Sequence, residues 1–246
     1  MDFAFTEEQT AIQDMALDFA KEQIAPHALE WDETGHFPVD VIRQSAELGM
    51  GAIYVPEDHG GSGLKRLDGA IIFEALSYGC PTVAAYISIH NMVAWMVSKY
   101  ASDAQRERWL PKLATMEWLS SDCLTEPHCG SDAAALSTRA EKRGDTYVLN
   151  GAKQFISGAG TSDFYFVFAR TSDDGARGIS AFAIEKDAPG LGFGANERKM
   201  GWNAQPTRQV ILENCEVPAE NLSGREGDGV RFALGGLDGG RSKSGA

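Results

Sequence analysis

The chain has 246 residues, 43% hydrophobic and 23% charged, enough for a large buried core and for one or two domains. Its 22 Lys and Arg against 35 Asp and Glu leave a formal net charge of -13, a field that repels phosphate backbones and anionic lipid heads and argues against nucleic acid or a membrane as partner. Four cysteines without a Cys-x-x-Cys pair are too few for a disulfide scaffold, and the start Met1-Asp2-Phe3 has neither signal-peptide nor transit-peptide order, so a cytoplasmic protein is expected.

In chain order, Thr6-Glu7-Glu8-Gln9 has the form of a capping box, and Ile12, Met15, Ala16, Phe19, Ala20 and Ile24 then recur every three or four residues, which predicts an amphipathic helix running to Pro26. Pro38 opens a second helix over 39–48, with Gly49 as its left-handed stop. The turn formers from Val55 to Gly63 predict a loop. Helices are expected over 67–78, 82–100 and 103–115. The second of these is uncharged from Thr82 to Ser98 but carries Ser88, His90 and Asn91 at its middle, which suits a buried core helix and not a membrane span.

Beyond Trp118 the period changes. Leu136, Thr138 and Ala140 alternate with Ser137, Arg139 and Glu141, as in a strand with one solvated face. Asn150-Gly151, between Tyr147-Val148-Leu149 and Lys153-Gln154-Phe155-Ile156, predicts a hairpin turn. Strands are expected over 164–169, 179–184 and 207–212, and a helical pattern resumes over 230–237. The fold class is therefore α+β: an N-terminal all-α helical domain over 1–117, an antiparallel β domain over 118–222, and the stub of a C-terminal helical domain over 223–246.

The chemistry concentrates at Trp118 to Asp132, a strand entering a tight loop that ends in Gly130-Ser131-Asp132 and can aim several N–H groups and hydroxyls at one ligand. On spacing alone the plainer reading carries more weight: Pro127 and Gly130 turn the chain, and Ser131 or Asp132 caps the next segment. Phe155, on the same terms, is a core side chain. His128 and Cys129 beside Cys123 lack a fourth metal ligand in register, and Gly224, Gly227 and Gly229 come after no predicted strand, so neither a metal centre nor a dinucleotide turn is expected there.

The run Cys123-Leu124-Thr125-Glu126-Pro127-x-x-Gly130-Ser131-Asp132 resembles the flavin signature of the acyl-CoA dehydrogenase family. Asn150 to Ala159 is similar to the family strand that lies against the isoalloxazine ring. The loop Val55-Pro56-Glu57-x-x-Gly60-Gly61 also matches, and the likeness runs from Glu7 through Arg241. It implies FAD as cofactor, held by Cys123, Leu124, Thr125, Gly130, Ser131, Phe155, Ile156 and Ser157. Backbone groups near Leu124 and the Thr125 hydroxyl would meet the pyrimidine edge, Phe155 the ring face and Ser157 the N5 side. Ser131 would lie beside both the cofactor and the acyl chain, and Asp238, Gly239, Gly240 and Arg241 would contact the CoA moiety.

The implied reaction removes the α-proton of an acyl thioester as the β-hydrogen leaves as hydride to the flavin, giving a trans-2-enoyl-CoA. An electron-transfer flavoprotein would take the electrons, and the complete protein would be a homotetramer. Tyr86 to Met92 and Leu237 to Arg241 look closest to the isobutyryl-CoA dehydrogenase branch, which implies a short or branched acyl-CoA, as in valine degradation. The family continues after this point into a helical bundle carrying the glutamate base, whereas here Arg241 is followed by Ser242-Lys243-Ser244-Gly245-Ala246 and the end. No residue is therefore expected to be the catalytic base. Two further readings remain: a catalytically silent binding module, or an oxidase or monooxygenase on the same fold.

Overall fold

Thr6 caps the first helix, α1 (Glu7–Phe19), through a reciprocal pair with Gln9 in the computed structural model, which describes residues 4–244 and side chains as far as Asp238. The helical path does not end at Pro26. It widens to a π-turn over Ala20–Ile24, tightens to a 3-10 turn over Ala25–His27, and restarts as α2 (Ala28–Thr34), closed by Gly35 at φ +67°. Proline has no N–H to give back to the preceding turn, and the wider turn satisfies the neighbouring backbone instead, with Ala25 N–H donating to the Ala20 carbonyl.

Next in the chain are α3 (Val39–Glu47), α4 (Arg66–Gly79), α5 (Pro81–Tyr100) and α6 (Asp103–Ala114), close to the predicted spans. The polar residues in the middle of α5 fasten it to its surroundings. Asn91 donates to the Met50 and Ile87 carbonyls at 2.7 and 2.9 Å and accepts from Ile53 N–H at 2.7 Å. His90 bridges the Leu113 carbonyl and the Ser120 hydroxyl, both at 2.9 Å. Among the described residues no helix is long and apolar enough to cross a membrane.

The second half is a sheet of β1 (Ser120–Cys123), β2 (Arg139–Arg143), β3 (Thr146–Ser157), β4 (Phe164–Arg170), β5 (Ile179–Glu185), β6 (Leu191–Phe193), β7 (Thr207–Pro218) and β8 (Leu222–Ser223), with α7 (Gly229–Ser244) after it. The order is β6-β7-β3-β2-β4-β5-β8, antiparallel except that β1 and β2 both run parallel to β4. Since β5 pairs along the whole of β4, β1 and β2 share the other edge, and residues 124–138 loop out from that edge and return to it. Alternation along β4 sorts its side chains: Phe164, Phe166 and Phe168 enter the core shared with α5 and α6, while Tyr165, Val167 and Ala169 enter the core on the opposite face.

Asn150-Gly151 is not a hairpin turn. β3 runs through it unbroken, and the β2–β3 turn falls instead at Gly144-Asp145, with Gly144 at φ +61°. β3 pairs with β7 at Leu149 and again at Gly151 while β7 steps from Cys215 to Leu212, so the irregularity here is a bulge in β7, with Glu213 and Asn214 opposite the single residue Asn150. Gly151 is required there: at φ +149°, a Cβ would lie 2.5 Å from the Thr138 hydroxyl oxygen.

Candidate functional site

The cleft of interest forms where β1 leaves the sheet edge, the end of β3 crosses it, and α5 packs from the side. Ile89, Met92, Asp122, Leu124, Thr125, Phe155, Ile156 and Ser157 line a recess of about 150 Å³. The recess lies at a second irregularity of this pairing, a bulge in β3 itself between Lys153 and Ile156, which takes Gln154 and Phe155 out of the ladder with β7. Gln154 N–H donates instead to the Thr125 carbonyl at 2.8 Å, binding β3 to the loop after β1. Phe155 takes φ +59° and stays 62% exposed, so an aromatic ring is presented outward from a strained backbone.

The loop itself is held by a buried ion pair. Lys153, fully buried within β3, donates to Glu126 at 2.7 Å and to the Leu124 carbonyl at 3.3 Å. Glu126 also accepts from Ser137 N–H and hydroxyl at 2.7 and 3.0 Å and from Thr138 N–H at 3.0 Å, so one carboxylate closes both ends of the loop. Burial alone would raise the Glu126 carboxyl, but the charge of Lys153 and these hydrogen bonds outweigh it and hold the group at about 2. The turn at its tip is closed by reciprocal backbone bonds between Glu126 and Cys129.

Asp122 is set differently. One of its carboxyl oxygens is buried without a hydrogen-bond partner among the described residues, and burial pushes the group up to about 7 against the pull of Lys153. Beyond the cleft, Ser121 donates to the Ser157 carbonyl at 2.6 Å and shares a 2.8 Å hydrogen bond with the Ser162 hydroxyl, which fixes the end of β3 beside Gly158.

The structure thus brings Leu124, Thr125, Phe155, Ile156 and Ser157 together in one lining. Cys123 packs behind it in the sheet core, and burial lifts its thiol well above the usual range. Gly130 and Ser131 lie exposed on the loop outside that lining. Asp238 is exposed on α7, Gly239 and Gly240 come next in the same helix, and the Arg241 side chain lies outside the described residues. His128 and Cys129 do gather near a third group, but it is Glu126 and not Cys123, and the Glu126 oxygens are engaged by Lys153, Ser137 and Thr138.

Sequence reasoning passed over Asp122, Ile89, Met92 and Lys153, and gave Glu126 no role. The available signal was a lone charge inside an otherwise buried strand, at Asp122 in β1 and Lys153 in β3. A larger cleft, about 310 Å³, lies between α2 and the loop before β7, but Asp32, Glu33 and Glu197 line it beside Lys199 and make it a poor host for an anion. The smaller recess offers one exposed aromatic face, two hydroxyls and an unpartnered carboxyl oxygen, a set that fits the polar edge of a planar heteroaromatic ring.

Residues 6–117 match the acyl-CoA dehydrogenase N-terminal domain family, and residues 121–215 match the acyl-CoA dehydrogenase middle domain family. The chain is 54% identical over 242 residues to the mitochondrial isobutyryl-CoA dehydrogenase of Dictyostelium discoideum, covering 98% of this chain and 58% of that protein. It is 52% identical over 236 residues to the enzyme of the same name from Bos taurus, covering 96% and 57%. The structure of butyryl-CoA dehydrogenase from Megasphaera elsdenii superposes with a TM-score of 0.93 at 36% identity, over 98% of this chain and 64% of that one. The chain therefore spans well under two thirds of the length of the curated relatives it matches.

Proposed function

Because the chain belongs to the acyl-CoA dehydrogenase family, we propose that it holds the isoalloxazine ring of FAD at Phe155 and serves the α,β-dehydrogenation of a short or branched acyl-CoA, isobutyryl-CoA foremost. The observation that carries this reading is the bulge at Phe155. A strand that keeps an aromatic side chain exposed on left-handed backbone stores strain, and such strain collects where a ligand is met. The bound flavin would supply a hydride acceptor, which no side chain offers.

The chain's own residues supply the cradle. Backbone donors near Leu124 and the hydroxyls of Thr125 and Ser157, which line the recess, would stabilise the negative charge that an electron-accepting ring gains there. Ile89 and Met92 close the α5 side with apolar surface and would keep water from the ring edge. Glu126 takes no part in proton transfer, since its oxygens are engaged and it stays ionised; it stiffens the loop instead. No residue between 1 and 246 is assigned as the base. Ser131 and the segment Asp238-Gly239-Gly240-Arg241 are assigned to the acyl-CoA, with domains at 1–117, 118–222 and 223–246.

An electron-transfer flavoprotein is the proposed electron acceptor, and a homotetramer the proposed assembly. The four free cysteines are all buried and suit a reducing compartment, which we take to be the cytoplasm although both curated relatives are mitochondrial by name. Fractionation of cells expressing a tagged chain tests that placement.

The central test is the visible spectrum of the purified chain titrated with FAD, then with isobutyryl-CoA under anaerobic conditions. Saturable binding with a structured flavin band is expected. Bleaching by the acyl-CoA supports dehydrogenation, binding without bleaching favours a binding module, and no saturable binding overturns the flavin reading.

A further inference from the structure

Asp122 enters the cleft as a carboxyl group with an unmet hydrogen-bonding need. It lies on β1 directly before the loop, lines the same recess as Thr125, Phe155 and Ser157, and has one oxygen buried with no partner among the described residues. A polar atom left so carries a desolvation penalty, which a ligand that completes the bond recovers.

The surroundings decide which form of the carboxyl meets that ligand. From α5 the recess receives Ile89 and Met92, which carry no charge. From β4 the register partner of Asp122 is Phe166. On β1 itself the neighbour is the Cys123 thiol, kept neutral by burial. From β3 comes one cation, Lys153, and it is already bonded to Glu126. Taking a carboxylate out of water among these groups favours the neutral acid, and Asp122 is accordingly raised to about 7 by burial, with Lys153 pulling the other way.

We propose that Asp122 is a flavin-contacting residue whose carboxylic acid donates a hydrogen bond to an acceptor on the edge of the isoalloxazine ring. This rests on the reading of the cleft as a flavin site and adds to it a donor that neither the flavin-motif residues 123–131 nor the β3 residues 155–157 provide. The ring edge carries two carbonyl oxygens and the N1 and N5 nitrogens, acceptors that a neutral acid satisfies and an ionised one repels, and a single donor, the N3–H, which is not the atom assigned to Asp122 here. Flavin binding then takes up the proton-bearing form of Asp122 and weakens as pH rises through neutrality, by about tenfold per pH unit once the group is ionised.

The experiment is fluorescence titration of the 246-residue chain with FAD from pH 5.5 to 8.5, for the parent, Asp122→Asn, Asp122→Leu and Thr125→Val. The amide of Asp122→Asn donates at every pH, so its affinity is expected to be flat and to exceed the parent's at pH 8.5 by about tenfold or more. Asp122→Leu, which cannot donate, should bind about tenfold more weakly than the parent at pH 6. Thr125→Val should lose affinity while keeping the parent's pH dependence. The proposal is overturned if Asp122→Asn keeps that pH dependence or if Asp122→Leu binds like the parent. If the parent itself shows no saturable FAD binding, the flavin reading fails and the proposal with it. A thermal melt of Asp122→Leu beside that of Asp122→Asn, which is close to isosteric with Asp and keeps a donor, separates a lost donor from a lost fold.

Discussion

Phe155 and Lys153 sit two residues apart on β3 and illustrate opposite uses of stability. Phe155 holds φ +59°, a conformation that costs a bulky side chain roughly 1–2 kcal/mol, and it recovers little of that by burial because it is 62% exposed. Phe155→Gly should therefore leave the melting temperature unchanged or raise it by about 2–4 °C, while FAD affinity falls about tenfold with the lost aromatic face. Calorimetry and flavin titration on the same preparation check both halves; a fall in both would make Phe155 a fold residue only. Lys153 is the reverse case. Lys153→Met keeps much of the stem volume but leaves Glu126 ionised and buried without its cation, which should cost about 3–5 kcal/mol in urea unfolding. In Lys153→Met combined with Glu126→Gln the buried charge is gone, and part of the loss should return. Neither residue could be ranked from the sequence, because a left-handed φ and a carboxylate shared by two loop ends are tertiary facts with no local spelling.

Between elements, the deciding contacts are few and polar. His90 joins α5 to α6 through the Leu113 carbonyl and to β1 through Ser120, and burial drives it down to about 4 from an ordinary 6.5, with the Leu113 carbonyl pulling the other way. The folded chain therefore keeps His90 neutral, so its contribution is complete above 6.5 and is lost as pH falls from 6.5 to 4. Between pH 7 and 5 that loss should be about 2 kcal/mol. Asp122 shifts in the opposite sense but is common to the parent and His90→Asn, so the difference in their urea midpoints at the two pH values isolates His90. An equal change in both chains would remove the histidine from the acid response. The helices were legible because caps and three-to-four spacing are local, whereas the fate of Asn150-Gly151 depended on β7, more than fifty residues away, pairing on both sides of it. The parallel placement of β1 and β2 on one edge of β4 was hidden for the same reason, and with it the way the 124–138 loop is held.

On the scale of the whole molecule, the net charge of -13 opposes the anionic diphosphate of the proposed cofactor, and the cleft does nothing locally to reverse it. Among the described residues its lining contains one carboxyl, Asp122, and no cation, and the nearby Lys153 is committed to Glu126. Ring contacts would then hold the flavin against a repulsive approach field. Such a field is screened by salt, since the Debye length shrinks from about 30 Å at 10 mM to about 8 Å at 150 mM ionic strength. Stopped-flow association of FAD should therefore speed up by about threefold over that range, whereas riboflavin, which has the ring but no phosphate, should associate at a rate that salt hardly changes. A basic phosphate cradle would give the opposite slope for FAD. If FAD slows as salt rises while riboflavin does not, the diphosphate is being drawn in by cations outside this recess, and the cofactor's tail, not its ring, leads the encounter.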